Sequence, residues 1–268
     1  SARGHQGQHL VLEQICEPGQ VYLSRTTAAL VGDEVTLRSL GATRVNGLDQ
    51  AVEVFALEGR GRQGSRLEHR LARGGAFYFG REAELARLQA CFALAAQGQG
   101  RVVVVRGPAG MGKSRLLHEF LASAERRGVA VHRTAASPYA RHQPMSAPRA
   151  LFLSRIGCAP GEDPAQVRAC IEADLPEKVR ERPGAMAFAM EFAGVGVPGE
   201  LTEALSLSLR EPMLRGLAHY LPRSAAPQIL LFEDLQHLDP VTLDFIRQLS
   251  AAVAGTPTML LLSWRAEG

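Results

Sequence analysis

The sequence predicts an α/β fold: a parallel sheet wound by helices, preceded by a smaller α/β segment. Three observations carry this. The β-branched run "RVVVV" (101–105) leads through a glycine-rich loop into a helical pattern. "QILLFED" (228–234) is an apolar strand that ends in two acids. "TPTMLLLSWR" (256–265) is a third apolar run of strand length. Runs that are apolar throughout, rather than alternating, mark strands covered on both faces, as in parallel sheets.

The elements follow in order. "KSRLLHEFLASAERRG" (113–128) is read as a helix with Leu116, Leu117, Phe120, Leu121 and Ala124 on one face, stopped by Gly128. "VAVHRTAASPY" (129–139) reads as a strand and a loop, with helices next over 146–157, 164–174 and 202–220. "GAMAFAMEFAGVGVPGE" (184–200) is small and apolar, but too short and too broken by Gly and Pro to span a membrane. "LDPVTLDFIRQLSAAVAG" (238–255) reads as a helix with Asp239 as N-cap, Pro240 in the first turn and Gly255 past the end.

Composition narrows the class. The 268 residues are 46% hydrophobic and 21% charged, with a formal net charge of +3. That gives room for one or two cored domains and no strong pull toward nucleic acid. Cys16, Cys91, Cys158 and Cys170 are scattered without metal-ligand spacing, and read as free thiols of a reducing cytoplasm. His118 and His142 are isolated and read as structural or solvated. No apolar run reaches the ~18 residues of a membrane span, and no signal peptide is visible. The chain begins at Ser1 and ends just after a strand, so it is expected to be part of a longer polypeptide. Of its 30 basic residues only Lys113 and Lys178 are lysine, which makes Lys113 informative.

Residues 107–114, "GPAGMGKS", fit G-x-x-x-x-G-K-[ST] completely, between a strand and a helix. Gly107, Gly110 and Gly112 permit tight turning and close approach to an anion. The backbone N–H groups of Pro108–Ala109–Gly110–Met111–Gly112 (proline apart) and of the helix start, Lys113, Ser114 and Arg115, then face phosphates. Lys113 supplies charge to the β- and γ-phosphates and Ser114 a hydroxyl to Mg²⁺. This is a P-loop, and ATP with Mg²⁺ is the expected ligand. Glu233 and Asp234 arrive at the C-terminal strand edge, where ligands of open α/β sheets bind. Glu233 is assigned to the metal and Asp234 to orienting a water. The usual metal residue is Asp, so the reverse assignment stays open. Arg265, at the end of the last strand, is a candidate γ-phosphate sensor.

Together these pieces resemble the nucleotide-binding module of STAND-type AAA ATPases over roughly residues 76–268. "FYFGREAELARLQACFALAAQGQG" (77–100) is similar to that group's entry motif, which implies that Phe79, Gly80 and Arg81 lie against the adenine. "FEDLQHLDP" resembles its extended Walker B motif, with Gln236, His237, Leu238 and Asp239 where His-Trp-Ala-Asp is usual. "LLLSWR" resembles its sensor strand, which the resemblance places between the P-loop strand and the Walker B strand.

"EPGQVYLSRTTAALVG" (17–32) reads as turn, strand and helix, and "VTLRSLGATRVNGLDQAVEVFALEG" (35–59) as two strands around a turn. This order resembles the C-terminal tail of a class III adenylate/guanylate cyclase domain. Aligned on that tail, Gly7 and Val11 fall at the positions of its catalytic Asn and Arg, and Asn46 at its phosphate-binding Lys. "GDEV" (32–35) is too close to the closing strand to be the catalytic motif, and Thr36 stands where Asn would be. No cyclase activity is expected of this chain.

The expected domains are therefore 1–58, a cyclase-tail fragment; 59–76, a Gly/Arg-rich linker; and 77–268, the P-loop ATPase domain, truncated at its C-terminus. The expected function is a regulatory ATPase module that hydrolyses ATP slowly and switches with the γ-phosphate. Two other outputs stay open: part of a true cyclase, or the ATPase of a transcription regulator. Expected partners are ATP, other domains of the polypeptide and further copies of the chain, with no membrane and no nucleic acid indicated.

Overall fold

A computed structural model of the chain describes residues 16–31, 35–43, 52–60, 80–136, 144–196 and 203–266. It forms two compact units, Ser1–Phe77 and Tyr78–Gly268. The expectations placed on Gly7, Val11, Asn46, Phe79 and His142 lie outside the described residues, as does most of the 59–76 stretch.

In the first unit, strand β1 (Tyr22–Ser24) runs directly into helix α1 (Arg25–Val31), and β2 (Val35–Thr43) pairs antiparallel with β3 (Val52–Arg60). The order is β1-β3-β2. The Ser24 hydroxyl opens α1 by accepting from the Thr27 amide at 3.3 Å. Val54, Ala56 and Ala28 bury a small core. β3 continues to Arg60, opposite Val35, so pairing with β2 carries the strand into the stretch read as linker. Thr36 is paired with Gly59 within β2 and β3.

The second unit is a four-stranded parallel sheet of order β4-β7-β6-β5, from β4 (Arg101–Gly107), β5 (Ala130–Ala135), β6 (Gln228–Glu233) and β7 (Thr258–Arg265). β7 lies between β4 and β6, as the resemblance implied. Strand periodicity sorts side chains to two faces. Ile229, Leu231, Met259 and Leu261 pack with Leu88 and Ala95 of α2 (Glu82–Ala96). Leu116, Leu117, Phe120, Leu121 and Ala124 of α3 (Lys113–Glu125) complete that layer. All five expected residues of α3 are buried.

Leu230, Phe232, Leu260 and Leu262 face the other way, into a larger core. Its helices are α4 (Ser146–Arg155), α5 (Pro164–Asp174), α7 (Ala185–Ala193), α8 (Glu203–Tyr220) and α9 (Pro240–Ala252), with the short α6 (Glu177–Arg180) between α5 and α7. The apolar 184–200 segment supplies α7, whose Met190 and Phe192 enter this core. α4 ends at Arg155, two residues before the expected end, because Ile156 leaves the helix and Gly157 turns with φ 77°.

One expectation fails. The valine run predicts a strand covered on both faces, yet Val102 and Val104 are 40% and 56% exposed. β4 is an edge strand, and only its Val103/Val105 face packs, against the α2/α3 layer. An unbroken valine run records β-propensity, and coverage depends on which helices arrive.

Candidate functional site

The phosphate loop joins β4 to α3. Gly110 and Gly112 hold φ of 78° and 76°, left-handed conformations that a side chain resists. Gly107 does not, and a Cβ added there would touch only the Lys113 side chain, at 3.7 Å. Its place in the motif therefore does not rest on backbone strain. The first intrahelical bond of α3 runs from the Leu116 amide to the Gly112 carbonyl at 3.0 Å. The amides of Lys113, Ser114 and Arg115 thus lack helical acceptors, and with the helix dipole they form an anion-binding end.

Lys113 folds back over the loop, its Nζ donating to the Gly107 carbonyl at 2.7 Å and to Pro108 at 2.8 Å. Ser114 is exposed at the helix start. The Arg115 guanidinium runs down α3 to Glu119 at 2.7 Å, so what Arg115 offers the loop is its main-chain amide.

The two acids stand two strands away, beyond β7. Glu233 ends β6, level with Ala135, and its carbonyl accepts from the Ala136 amide at 3.0 Å. Asp234 follows with φ 57°, one of two non-glycine residues among those described with positive φ. This turns the chain sharply out of the strand. The conformation is held: the Asp234 amide donates to the Ser263 hydroxyl at 3.0 Å, and its carbonyl accepts from His237 at 3.0 Å.

A run of bonds connects Asp234 to the loop. Gln236 donates through Nε2 to Asp234 Oδ1 at 3.0 Å and accepts through Oε1 from the Arg265 amide at 3.0 Å. The next residue, Ala266, donates its amide to the Gly107 carbonyl at 3.1 Å, the same oxygen that Lys113 holds. Arg265 pairs in register with Gly107, and its side chain is exposed at this edge. The structure therefore brings Lys113, Ser114, Asp234 and Arg265 to one edge of the sheet, with Glu233 beside Asp234.

The entry segment is tied to the same loop. Gly80 has φ 81°, and its amide donates to Glu82 Oε1 at 3.1 Å. Bonds from the Glu82 amide and from the Gly80 amide hold that carboxyl below its ordinary range. Arg81 donates to the Met111 carbonyl and lies 3.8 Å from Glu84. It grips the tip of the phosphate loop, a contact that sequence reasoning had not assigned.

Behind Asp234 the chain turns again through Leu235–His237 and enters α9. Asp239 caps that helix, accepting from the Thr242 amide at 2.9 Å. The Thr242 hydroxyl donates to the same carboxylate and accepts from the Met145 amide at 2.9 Å, linking α9 to the start of α4. Burial raises the Asp239 pKa, but bonds from Thr242 and from the Asp239 and Met145 amides outweigh it and hold the carboxyl low.

Residues 78–262 match the AAA ATPase domain family. The chain belongs to the AAA ATPase domain family. It contains, accordingly, a nucleotide-binding ATPase module, in a family that binds ATP, typically with Mg²⁺, and often oligomerises. Over 280 aligned residues the chain is also 24% identical to an uncharacterized protein of Rhizobium meliloti (strain 1021). That alignment covers 95% of this chain and 25% of the relative, so the chain spans about a quarter of the relative's length. Among the described residues no cluster of three His, Cys, Asp or Glu side chains is set to hold a metal by itself, and no helix is long and apolar enough to cross a membrane. A cation at this AAA edge would need phosphate oxygens as well as protein oxygens, which is how Mg²⁺ is commonly bound.

Proposed function

We propose that this chain is a regulatory ATPase module of a larger cytoplasmic multidomain protein, binding ATP·Mg²⁺ and hydrolysing it slowly as a conformational switch. The observation that carries this is the single sheet edge. A helix N-terminus and Lys113 offer positive charge on one side, and Glu233 and Asp234 offer carboxylates two strands over. Strands lie about 4.8 Å apart, so the two sides stand roughly 10 Å from one another, a span suited to a triphosphate chain.

In this reading the amides at the start of α3 and Lys113 Nζ hold the β- and γ-phosphates. Ser114 and Glu233 hold the cation, Asp234 orients the attacking water, and Arg265 senses the γ-phosphate. Bound Mg²⁺ supplies charge neutralisation on the phosphoryl oxygens. By the resemblance Phe79, Gly80 and Arg81 would lie against the base, and Arg81, joined to the Met111 carbonyl, couples the entry segment to the loop. STAND-type signalling is the finer reading, and other domains and further copies of the chain are its proposed partners.

A cyclase-linked version of the same proposal rests on the sequence resemblance of residues 17–59 to a class III cyclase tail. The ATPase module would then regulate a cyclase site located elsewhere in the protein.

Calorimetry of ATP·Mg²⁺ binding to the chain and to Lys113→Ala tests the proposal. Losing a charge-assisted contact worth about 1.5–3 kcal/mol weakens affinity about tenfold to a hundredfold. Equal affinities overturn it.

A further inference from the structure

We infer that Gln236 is a positioning residue for hydrolysis, setting the Asp234 carboxylate and fastening the end of β7 to it through one carboxamide. The inference rests on the proposed role of Asp234. Its basis is the pair of bonds at opposite ends of one planar group: Nε2 to Asp234 Oδ1 at 3.0 Å, and Oε1 from the Arg265 amide at 3.0 Å.

The orientation of that carboxamide is dictated by its partners. A main-chain N–H only donates, so the carboxamide oxygen faces Arg265 and its nitrogen faces Asp234. Gln236 therefore reads both at once. If the carboxylate turns away, the Nε2 bond to it is lost; if β7 shifts, the Oε1 bond to the Arg265 amide is.

The surroundings make this position consequential. The Asp234 backbone is held in a left-handed conformation by Ser263 and His237, so the Cβ is fixed. What a fixed Cβ leaves free is rotation of the carboxylate, and Gln236 bonds one of its oxygens. At its other end Gln236 holds Arg265, whose neighbour Ala266 holds the Gly107 carbonyl that Lys113 also holds. A change at the phosphate loop can thus reach Asp234 through three consecutive hydrogen bonds, with no domain movement. Gln236 is only half-buried, so its replacement does not open the core.

The test uses Gln236→Met, which keeps the length and loses both bonds, and Gln236→Glu, which keeps an acceptor for Arg265 and loses the donor. Asp234→Asn and Lys113→Ala serve as references. ATP turnover with Mg²⁺, ATP affinity and hydrogen exchange of the Arg265 amide by NMR are measured on each. Gln236→Met is expected to lower kcat about tenfold to a hundredfold, the scale of a displaced reacting group, with ATP affinity within about twofold of the parent. Its Arg265 amide exchanges faster. Gln236→Glu loses kcat similarly while that amide stays protected, which assigns the effect to the donor half.

Parental kcat in Gln236→Met, a loss confined to ATP affinity, or unchanged Arg265 exchange overturns the inference while leaving Asp234 in place. Parental turnover in Asp234→Asn, or parental turnover no higher than Lys113→Ala, overturns the hydrolytic reading beneath it, and the inference with it.

Discussion

Replacing Asp239 with alanine removes three things at once. The N-cap of α9 goes, since Oδ1 no longer accepts from the Thr242 amide. The Thr242 hydroxyl, fully buried, loses its carboxylate acceptor. That hydroxyl is also what accepts from the Met145 amide, so the join between α9 and α4 is left on a rotor with no preferred orientation. Loss of an N-cap costs about 1 kcal/mol, and a buried donor left without a partner about 1–3 kcal/mol. The total is about 2–4 kcal/mol. At about 2–4 °C per kcal/mol for a domain of 150–250 residues, the melting temperature should fall by roughly 4–16 °C. Asp239→Asn should fall less, because an asparagine oxygen still caps the helix while its amide cannot accept from Thr242.

Differential scanning calorimetry at neutral pH reads both shifts. The pH dependence gives a second check. The folded carboxyl titrates below its ordinary value of 3.8, so the unfolded chain binds the proton first. Its contribution is complete above that value and is lost as pH falls through the folded pKa. The gap between parent and Asp239→Ala should therefore narrow in acid. Melting temperatures within about 1 °C of each other at neutral pH, or equal losses for Ala and Asn, would refute the reasoning.

Two further predictions concern titrating groups away from the site. Burial, and then the charge of Arg155, lower the pKa of His132 from 6.5, so protonation on folding is disfavoured; its stability contribution is complete above pH 6.5 and lost as pH falls toward the folded value. His132→Gln should flatten the loss of stability below pH 6.5, measured by urea unfolding across pH, and an unchanged slope contradicts this. Cys158 is pushed up to about 12 by burial and by the Cys170 and Glu162 side chains, so it stays a thiol at neutral pH. Iodoacetamide followed by peptide mass spectrometry should label it more slowly than the half-buried Cys91, and equal rates contradict the assignment.

The sequence by itself determined what short-range rules govern. The phosphate loop was legible because strand, glycines and helix start are contiguous, and left-handed φ at Gly110 and Gly112 is a local demand. The buried face of α3 followed from helical period alone. Asp239 as a cap followed because its partner Thr242 is three residues away. Tertiary structure decided whatever depends on chains meeting. Gln236 and Arg265 are 29 residues apart, Arg81 and Met111 are 30, and Met145 and Thr242 are 97. The cysteines read as scattered, yet Cys158 and Cys170 meet in the helical layer, because turns between α4 and α5 bring them together. The exposed valines of β4 could not be foreseen for the same reason. Periodicity says which residues share a face, but only packing decides which faces are covered and which polar groups find one another.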